Sequence, residues 1–268
     1  MNEQKIFLTS IRIYPVKSCQ GIKLEKTTIG SRGPAWDRHW MIVDTNGNFL
    51  SQRKHPKMAL IKTKLEHESL VLSIPEHKDF RFSLEPNGSI LKVKVWKDFC
   101  FAIDLGEKAA NLFSEFLGLE CRLVFMPSKT KRKINPKYAL QSEDVISFAD
   151  GYPFLLISEA SLDNLNQRLE IPVSMDRFRP NLVVSGCNAF EEDTWKKIRI
   201  GEVFFDIVKP CSRCLITCVN QQSGKKGIEP LKTLAGFRKQ KKGIMFGQYL
   251  IHTNQGTFSE GDHLKIIQ

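Results

Sequence analysis

The sequence predicts a mainly β protein with a few helices, of the α+β class, in which short strands form barrels or sandwiches. Short apolar segments rich in β-branched residues recur along the chain. Turns rich in glycine and asparagine separate several of them, for example at Asn46-Gly47-Asn48 and Pro86-Asn87-Gly88. Two other segments space their apolar residues as an α-helix does. Many short strands joined by tight turns are typical of barrels and sandwiches.

The first hundred residues consist mainly of predicted strands. These cover residues 6–16, 40–43, 49–50, 60–65, 70–74, 80–84 and 90–96. The last two strands flank the turn at Pro86-Asn87-Gly88, so we expect them to form a hairpin with each other.

A helix is expected after these strands. Its apolar residues lie at helical spacing: Ala109, Leu112, Phe113, Phe116 and Leu117. Asp104 is the predicted N-cap and Gly118 the predicted end of the helix. A strand over residues 121–126 follows. The basic run Lys129-Thr130-Lys131-Arg132-Lys133 shows no periodicity, so we interpret it as a linker or loop between two parts of the chain.

The second part mixes helix and strand. Ser158 is the predicted N-cap of a helix that carries Ala160, Leu165 and Leu169. Strands are predicted over residues 181–185, 197–200, 203–208, 245–252 and 261–267. The second and third of these form a hairpin across Gly201-Glu202, and this hairpin leads into Pro210 and a cluster of cysteines.

Composition and charge narrow the class of protein. The 268 residues are 41% hydrophobic, which suffices for one large core or two modest ones. No run of about 18 apolar residues predicts a membrane span, and residues 1–5 do not resemble a secretory signal. The 40 basic and 29 acidic residues give a net charge of +11, which favours anionic partners. The seven cysteines are an odd number, so we expect reduced thiols in the cytoplasm.

Three of the cysteines, Cys211, Cys214 and Cys218, fall within eight residues. A zinc site is disfavoured because no second Cys-x-x-Cys and no histidine pair supplies the remaining ligands. An iron–sulfur cluster is disfavoured because the C-x2-C-x3-C spacing differs from that of ferredoxins.

Three interpretations of the cluster stay open. A thioredoxin-like centre needs a helix after the first cysteine, whereas residues 215–219 are predicted as a strand, but an intramolecular disulfide stays possible. Free cysteines are also common in protein cores. The third interpretation is a single thiolate that binds a metal carried by an organic ligand, which requires few ligands from the protein.

Six motifs in order along the chain resemble those of the MOSC-domain family, in its amidoxime-reducing branch with a preceding MOSC N-terminal barrel. They are Tyr14-Pro15-Val16-Lys17-Ser18-Cys19, Trp36-Asp37-Arg38-His39-Trp40, Pro153–Ser161, Phe178-Arg179-Pro180-Asn181-Leu182, Cys211-Ser212-Arg213-Cys214 and Phe246-Gly247-Gln248-Tyr249. The resemblance covers nearly the whole chain. It implies a smaller β-barrel-like domain over residues 1–125 and a MOSC β-barrel over residues 126–268.

The resemblance also implies a cofactor and a set of residues that bind it. The cofactor is the molybdenum cofactor, with Cys214 as the protein's sulfur ligand to the metal and as the catalytic residue. The implied contacts are Lys17, Ser18 and Arg38 to the cofactor phosphate, Arg179 and Asn181 to the pterin, Ser212 and Arg213 in the loop at the metal, and Asp150 and Tyr249 beside the site. The implied reaction is the two-electron reduction of N-hydroxylated compounds.

These assignments agree with elementary chemistry, because a phosphate is well bound by the planar fork of arginine and the point charge of lysine. Each residue also has a plainer interpretation. Lys17 can be a surface lysine, Arg38 can simply pair with Asp37, Arg179 can be a structural ion-pair partner, and Tyr249 can fill the core.

The chain departs from the family in some places. Residues 217–224 lack the acidic residue and the proline that the family often has after its ligand loop, and Cys218 is an additional thiol that could bind the metal adventitiously. No ferredoxin domain and no N-terminal anchor is recognised. We therefore expect a monomeric cytoplasmic protein that receives electrons from a separate donor, such as a ferredoxin, a flavodoxin or a b-type cytochrome with its reductase.

Two other functions are considered. A MOSC protein can bind or transfer the cofactor or its sulfur without reducing a substrate. A barrel that binds nucleic acid is the non-enzymatic alternative, supported by the basic runs at residues 129–137 and 238–242. Few aromatic residues interrupt these runs, so stacking on single-stranded nucleic acid is weakly supported.

Overall fold

The computed structural model describes residues 5–268, so most of the N-terminal segment of residues 1–5 lies outside the described residues. The strands of the first half are β1 (Ile6–Ile13), β2 (Ile22–Leu24), β3 (Lys26–Gly30), β4 (Gly33–Pro34), β5 (Trp40–Asp44), β6 (Lys62–Glu66), β7 (Ser69–Ser73), β8 (Phe80–Ser83), β9 (Ile90–Val95), β10 (Asp98–Asp104) and β11 (Cys121–Phe125). Helix α1 spans Glu107–Leu117.

The second half contributes ten strands and two α-helices to the described chain. The strands are β12 (Arg132–Lys133), β13 (Val145–Ile146), β14 (Phe154–Ser158), β15 (Leu182–Ser185), β16 (Lys197–Ile200), β17 (Val203–Ser212), β18 (Lys239–Gln240), β19 (Gly243–His252), β20 (Gly256–Ser259) and β21 (His263–Ile266). The helices are α2 (Glu159–Asn166) and α3 (Leu231–Phe237). This composition confirms the predicted fold class, mainly β with a few helices.

Seven strands close into a barrel. Their order is β14, β15, β1, β21, β16, β17 and β19, and β19 pairs with β14 to complete the ring. The pairing of β14 with β15 is parallel, whereas the other pairings of the ring are antiparallel. Closure satisfies the backbone hydrogen bonds at what would otherwise be open sheet edges. The closed barrel therefore holds the ends of its connecting loops in fixed positions.

The interior of the barrel is filled by side chains that alternate along its strands. Leu8, Phe154, Phe205 and Leu250 are each 1% exposed or less. The rings of Phe154 and Phe205 meet edge to face with centroids 5.0 Å apart. Because neighbouring residues of a strand point to opposite faces, each strand contributes every second residue to this core.

A second layer is a half-barrel of two sheets covered by helix α1. The four-stranded sheet has the order β5, β11, β10 and β9, and the three-stranded sheet has the order β6, β7 and β8. Trp40, Leu70, Phe113 and Leu123 are fully buried in the core of this layer. Gly118 ends helix α1 in a left-handed conformation with φ of 71°, as predicted.

The first strands of the chain pair with the C-terminal half, and the first strand of the half-barrel sheets is β5. Strand β1 pairs with β15 and β21, and β3 pairs with β20, so the first strands belong to the same sheets as the C-terminal half. Val16 then bridges to Trp40, and the Lys17 amide donates to the Trp40 carbonyl at 2.8 Å. The segments around Lys17 and Arg38 therefore lie at the junction of the two layers.

Three local predictions are wrong. The strands at 80–84 and 90–96 do not pair with each other, because β8 pairs with β7 and β9 pairs with β10. Strand β10 was not predicted. Because it extends to Asp104, this residue ends a strand and is not the cap of the helix. The N-cap of α1 is Gly106, and Asp104 only accepts a hydrogen bond from its amide. Residues 215–219 form a 3-10 turn at Leu215–Cys218 and no strand.

Candidate functional site

The junction of the two layers contains a cleft that is open to solvent, with about 800 Å³ of empty space when the solvent at its mouth is included. Its walls come from both halves of the sequence. All ten residues predicted for the site line it: Lys17, Ser18, Arg38, Asp150, Arg179, Asn181, Ser212, Arg213, Cys214 and Tyr249. The fold therefore brings together residues that are up to 232 positions apart, since Tyr249 minus Lys17 is 232.

Three of these residues have an unusual backbone conformation. Ser18, Arg38 and Arg179 have φ values of 68°, 53° and 56°, in the left-handed region that side chains with a Cβ atom disfavour. Such conformations persist where the surroundings hold them, and they are frequent at binding sites. The Arg38 amide donates to the Tyr14 carbonyl at 2.9 Å, which fixes one of the three.

Lys17 and Asp150 form an ion pair at the wall of the cleft, 2.5 Å apart. Lys17 is 6% exposed at its side chain and also donates to the Phe148 carbonyl at 2.7 Å, whereas Asp150 is 42% exposed. Burial lowers the pKa of Lys17 to about 8, although Asp150 opposes this shift. Burial would raise the pKa of Asp150, but the charges of Lys17 and Arg53 outweigh it and hold that pKa well below its usual range.

Arg38 is anchored by a buried carboxylate. Its guanidinium lies 2.5 Å from Asp37, which is 2% exposed. It also donates to the amide oxygen of Asn181 at 3.1 Å. Burial raises the pKa of Asp37, and the charge of Arg38 and the hydrogen bond from the Tyr14 amide work against that rise. Arg38 thus does pair with Asp37, and it lines the cleft as well.

The ring of Tyr14 supports two arginines of the cleft. The guanidinium carbons of Arg38 and Arg179 lie 4.4 and 4.2 Å from its centroid. The Tyr14 hydroxyl donates to the Pro180 carbonyl at 3.0 Å, and Arg179 donates to the Cys19 carbonyl at 2.6 Å. Cation–π contacts of this kind hold two like charges near each other without a carboxylate for each.

Asn181 has its side-chain amide committed within the protein. Its oxygen accepts from Arg38 and from the Leu155 amide, and its nitrogen donates to the Arg12 carbonyl at 3.1 Å. The side chain therefore connects the motif that contains Arg38 to strands β14 and β1 by hydrogen bonds. Its position at the cleft is set by these bonds.

Strand β17 delivers the cysteine loop to the cleft. Beyond its end, the Arg213 amide donates to the Ile244 carbonyl at 2.8 Å, and Cys214 precedes the 3-10 turn at Leu215–Cys218. The Thr217 hydroxyl and amide both donate to the Cys214 carbonyl, at 2.9 and 3.1 Å. Cys214 is the one cysteine of the described chain that is not buried. Its backbone is thus fixed, and the partly exposed residue lines the cleft.

Cys211 differs from Cys214 in its surroundings. It is 2% exposed, and its sulfur accepts a hydrogen bond from the guanidinium of Arg213 at 2.9 Å. Burial raises the pKa of Tyr249 well above its usual range, and the neighbouring Cys211 and Asp150 add to this rise. The Tyr249 hydroxyl therefore keeps its proton and is in hydrogen-bond contact with the Cys211 side chain. The Cys211 sulfur is occupied by side chains of the protein.

Cys218 does not line the cleft. It is 1% exposed, and its sulfur lies 3.3 Å from the Ile228 carbonyl. All seven cysteines are free, so the described structure contains no disulfide in this loop. Among residues 5–268, no group of three or more Cys, His, Asp or Glu side chains is arranged to hold a metal ion. The zinc and iron–sulfur interpretations are therefore not supported by the described residues.

Two further arginines, Arg53 and Arg177, line the cleft and were not predicted. Arg177 donates to the Thr217 carbonyl at 2.7 Å, and Arg53 lies 3.8 Å from Asp150. Arg177 lies two residues before Arg179, so its proximity to that motif is the signal that could have identified it. For Arg53 the sequence offers no comparable signal.

The cleft carries a large excess of positive charge. Six cationic side chains and one carboxylate, that of Asp150, line it, so the formal balance of the lining residues is 6 − 1 = +5, and Asp37 behind the wall neutralises one of the six, Arg38. The six are Lys17, Arg38, Arg53, Arg177, Arg179 and Arg213. The Nε atom of Arg213 is buried and has no hydrogen-bond partner in the described structure. Buried cations and an unpartnered donor are stabilised by a bound anion.

This set of groups fits an anionic carrier of a thiophilic metal. The arginines and the lysine suit a phosphate, and one accessible thiol suits a metal whose other ligands come from an organic molecule. The cofactor implied by the sequence motifs, molybdenum bound to a phosphorylated pterin dithiolene, has this chemistry.

Within residues 5–268, no helix is both long and apolar enough to cross a membrane.

Comparison with known proteins finds the same family that the sequence motifs resemble. Residues 6–120 match the family profile described as the MOSC N-terminal beta barrel domain, and residues 143–265 match the MOSC domain. The chain is 37% identical over 273 residues to mitochondrial amidoxime-reducing component 1 of Mus musculus, covering 95% of this chain and 80% of that protein. The corresponding human protein is 36% identical over 273 residues, covering 95% and 81%. A molybdenum cofactor sulfurase of Oryza sativa subsp. japonica is 34% identical over 279 residues, which are 96% of this chain but 34% of that protein.

Proposed function

Because the chain belongs to the MOSC family, with a MOSC N-terminal barrel domain ahead of a MOSC domain, we propose that it binds the molybdenum cofactor and reduces N-hydroxylated compounds. The observation that supports this most is the cleft in which Cys214, the one cysteine that is not buried, faces a formal charge balance of +5. The relatives named amidoxime-reducing components support the reaction class. A cytoplasmic, monomeric protein is part of the proposal.

Cys214 is the proposed ligand to the metal. Its carbonyl is held by Thr217, and the neighbouring Cys211 is engaged by Arg213. When bound, the cofactor would supply a two-electron reducing centre for the N–O bond of an N-oxygenated compound. The chain would position the cofactor, surround it with charged side chains and exclude water from it.

Lys17, Ser18 and Arg38 are proposed to hold the terminal phosphate of the cofactor. Arg38 is aimed by Asp37, Asn181 and the ring of Tyr14, so little side-chain freedom is lost when an anion binds. Arg179 is aimed by the Cys19 carbonyl and the same ring, and is proposed to contact the pterin.

Asp150 and Tyr249 are proposed to lie beside the reacting atoms. Reduction of an amidoxime breaks its N–O bond, consumes two electrons and two protons, and releases an amidine and water. The carboxylate of Asp150, held ionised by Lys17, and the protonated hydroxyl of Tyr249 are the groups of this wall that can accept or donate a hydrogen bond to the substrate. The electrons come from a separate donor protein.

The test is elemental analysis followed by turnover. Protein produced in a host that makes the cofactor is expected to contain molybdenum and pterin phosphorus in matched amounts after a wash at high salt. It is then expected to convert benzamidoxime to benzamidine with reduced methyl viologen as the electron donor. Protein that contains no molybdenum under these conditions contradicts the proposal.

A second candidate is a protein that binds the cofactor, or transfers it or its sulfur, without reducing a substrate. The similarity to molybdenum cofactor sulfurase favours it, although the chain covers only about a third of that longer relative. Matched molybdenum and phosphorus without turnover of benzamidoxime, or of any other N-hydroxylated compound, supports this second function over the first.

A further inference from the structure

The hairpin of β9 and β10 exposes apolar side chains. Of the eleven large apolar residues that are exposed in the described chain, four lie on it: Ile90 (59%), Trp96 (44%), Phe99 (61%) and Phe101 (58%). Single exposed apolar residues are ordinary, but clustered aromatic side chains are typical of interaction surfaces. We call these four residues and the lysines among them the β9–β10 patch.

Lysines alternate with the aromatic residues on the outer face of this hairpin. Lys94 lies opposite Phe99, and Lys92 lies opposite Phe101, so each pair shares a face. The ammonium nitrogens of Lys92 and Lys94 lie 5.0 and 5.3 Å from the ring centroid of Phe99. The patch is therefore apolar and positively charged at once.

The basic segment of residues 129–133, predicted from sequence as a linker, lies against the same hairpin. The Thr130 hydroxyl donates to the Phe101 carbonyl at 2.6 Å, and the Arg132 guanidinium donates to Asp98 at 2.8 Å. Arg132 thereby neutralises the acidic residue of β10 that lies next to the patch. The exposed Lys129 and Lys131 flank Thr130 in this segment, whereas Lys94 of the hairpin is half-buried.

The patch is continuous with the rim of the cleft. The indole nitrogen of Trp96 donates to Asp150 at 3.2 Å, and the Arg53 guanidinium lies 4.7 Å from the Trp96 ring. Asp150 and Arg53 both line the cleft. A protein that covers the patch would therefore lie next to the place where the proposed reduction occurs.

We propose that the β9–β10 patch docks a small acidic one-electron carrier protein, which delivers the two electrons of each turnover in two successive encounters. This inference rests on the proposed function, because it assigns the site of the electron donor. Charge complementarity supports the choice of partner, since the exposed lysines favour an acidic surface and the aromatic residues supply an apolar centre. Single-stranded nucleic acid is disfavoured because Phe99 is engaged by two ammonium groups, whereas base stacking uses a free ring face.

The first test measures binding. An acidic flavodoxin is titrated against the holoprotein and against the double variant Lys92→Glu/Lys94→Glu at low ionic strength. We expect the Kd to rise about tenfold in the variant, and binding of the wild type to weaken with added salt. The control is Lys26→Glu/Lys78→Glu, which makes the same change of charge at two exposed lysines elsewhere and should alter the Kd less than about twofold.

A second variant tests the apolar part of the patch. Phe99→Ser/Phe101→Ser keeps every charge and should raise the Kd for flavodoxin about tenfold. Ile171→Ser is its control, because Ile171 is 78% exposed outside the hairpin. Circular dichroism and unfolding midpoints establish that each variant is folded, and two independent variants prevent one folding failure from deciding the result.

Turnover separates this inference from the proposed function. With methyl viologen as donor, both patch variants should reduce benzamidoxime at the wild-type rate, and with flavodoxin they should be about tenfold slower at limiting donor. Absence of turnover by the wild type with methyl viologen contradicts the proposed function, whereas the binding test still decides whether the patch docks an acidic carrier.

Three outcomes would overturn the docking inference. The first is that wild-type protein binds neither acidic flavodoxin nor a plant-type ferredoxin at low ionic strength. The second is that both patch variants bind as the wild type does. The third is that a single-stranded oligonucleotide displaces flavodoxin and binds more tightly than it, which would assign the patch to nucleic acid.

Discussion

The guanidinium of Arg213 donates a hydrogen bond to the sulfur of Cys211 at 2.9 Å, two residues away in sequence. The same arginine donates to the Phe178 carbonyl, so it connects the cysteine loop to the segment that carries Arg179 and Asn181. This bond gives the two cysteines of the Cys-x-x-Cys pair different surroundings. Cys211 is buried and bonded within the protein, whereas Cys214 remains partly exposed at the cleft.

The first prediction distinguishes these two cysteines. Cys214→Ser should reduce the molybdenum content of protein produced in a cofactor-making host at least about tenfold, because it removes the proposed ligand. Its free energy of unfolding should change by less than about 0.5 kcal/mol, since the side chain is partly exposed. Mass spectrometry of the metal and urea unfolding measure the two quantities.

Cys211→Ser is the matched control for that prediction. A serine oxygen can accept the hydrogen bonds of Arg213 and Tyr249, so this variant should retain most of its molybdenum. If Cys211→Ser loses the metal and Cys214→Ser keeps it, the roles assigned to the two cysteines are exchanged.

The second prediction concerns pH. Burial lowers the pKa of Lys17 to about 8, so its ammonium loses the proton as the pH rises from 7 to 9. The cleft then loses one positive charge, and binding of sulfate to the cofactor-free protein should weaken by about tenfold over this range. Sulfate is the chosen probe because its own charge is constant there. Calorimetric titration at fixed ionic strength measures the effect.

Two variants control the pH experiment. Lys17→Arg keeps its charge above pH 9 and should flatten the profile, because a guanidinium does not ionise in this range. Cys214→Ser removes the one cysteine of the described chain that is not buried, and this variant should retain the slope. A profile that is equally steep in Lys17→Arg would show that another group is responsible.

The sequence grouped ten residues that the fold brings to one cleft, whereas it did not predict several details of strand pairing. The ten predicted residues come from motifs whose order along the chain resembles a family, and the fold lines one cleft with all ten. Arg53 was missed because a lone arginine in a polar loop has no local pattern. Its place beside Asp150 depends on the packing of the half-barrel against the barrel, which is a long-range property.

The incorrect prediction of a hairpin between residues 80–84 and 90–96 has a similar cause. Strands 80–84 and 90–96 both carry apolar residues, and the intervening Pro86-Asn87-Gly88 is a good turn. However, each strand has a better partner on its other side, and the turn only connects two sheets. Local turn chemistry predicts that the chain reverses, but it does not determine which strands pair. The closed order of the barrel, set by pairings such as that of β1 with β21, was likewise invisible to local patterns.

The third prediction concerns Gly247, in the strand that carries Tyr249. It has φ of +80°, and a Cβ atom there would lie 2.8 Å from the Leu156 carbonyl oxygen and 2.6 Å from the Ile157 side chain. Gly247→Ala should therefore lower the free energy of unfolding by about 2–4 kcal/mol. Gly30→Ala is the control, because a Cβ there meets nothing within 4 Å. Urea unfolding of both variants checks this, and equal stability would contradict the close approach of β19 to β14.

The fourth prediction concerns the buried pair of Arg38 and Asp37. Arg38→Met removes the partner of a carboxylate that is 2% exposed, so the free energy of unfolding at pH 7 should fall by about 3 kcal/mol. Cofactor-free protein is used, so that the loss reports the pair alone. The control is Arg81→Met, because Arg81 pairs with Glu66 on the surface, and such pairs contribute at most about 1 kcal/mol.

The same variant should have a characteristic pH dependence. Burial raises the pKa of Asp37, and without Arg38 it should rise further, because the opposing charge is gone. An acid whose pKa is higher in the folded than in the unfolded protein binds more protons when folded, so stability falls as the pH rises between the two values. The deficit of Arg38→Met relative to wild type should therefore be largest near pH 7 and shrink as the pH falls toward about 4, the unfolded value. A deficit that is constant across this range would mean that lost packing of Arg38 on Tyr14, and not an unpaired charge, destabilises the variant.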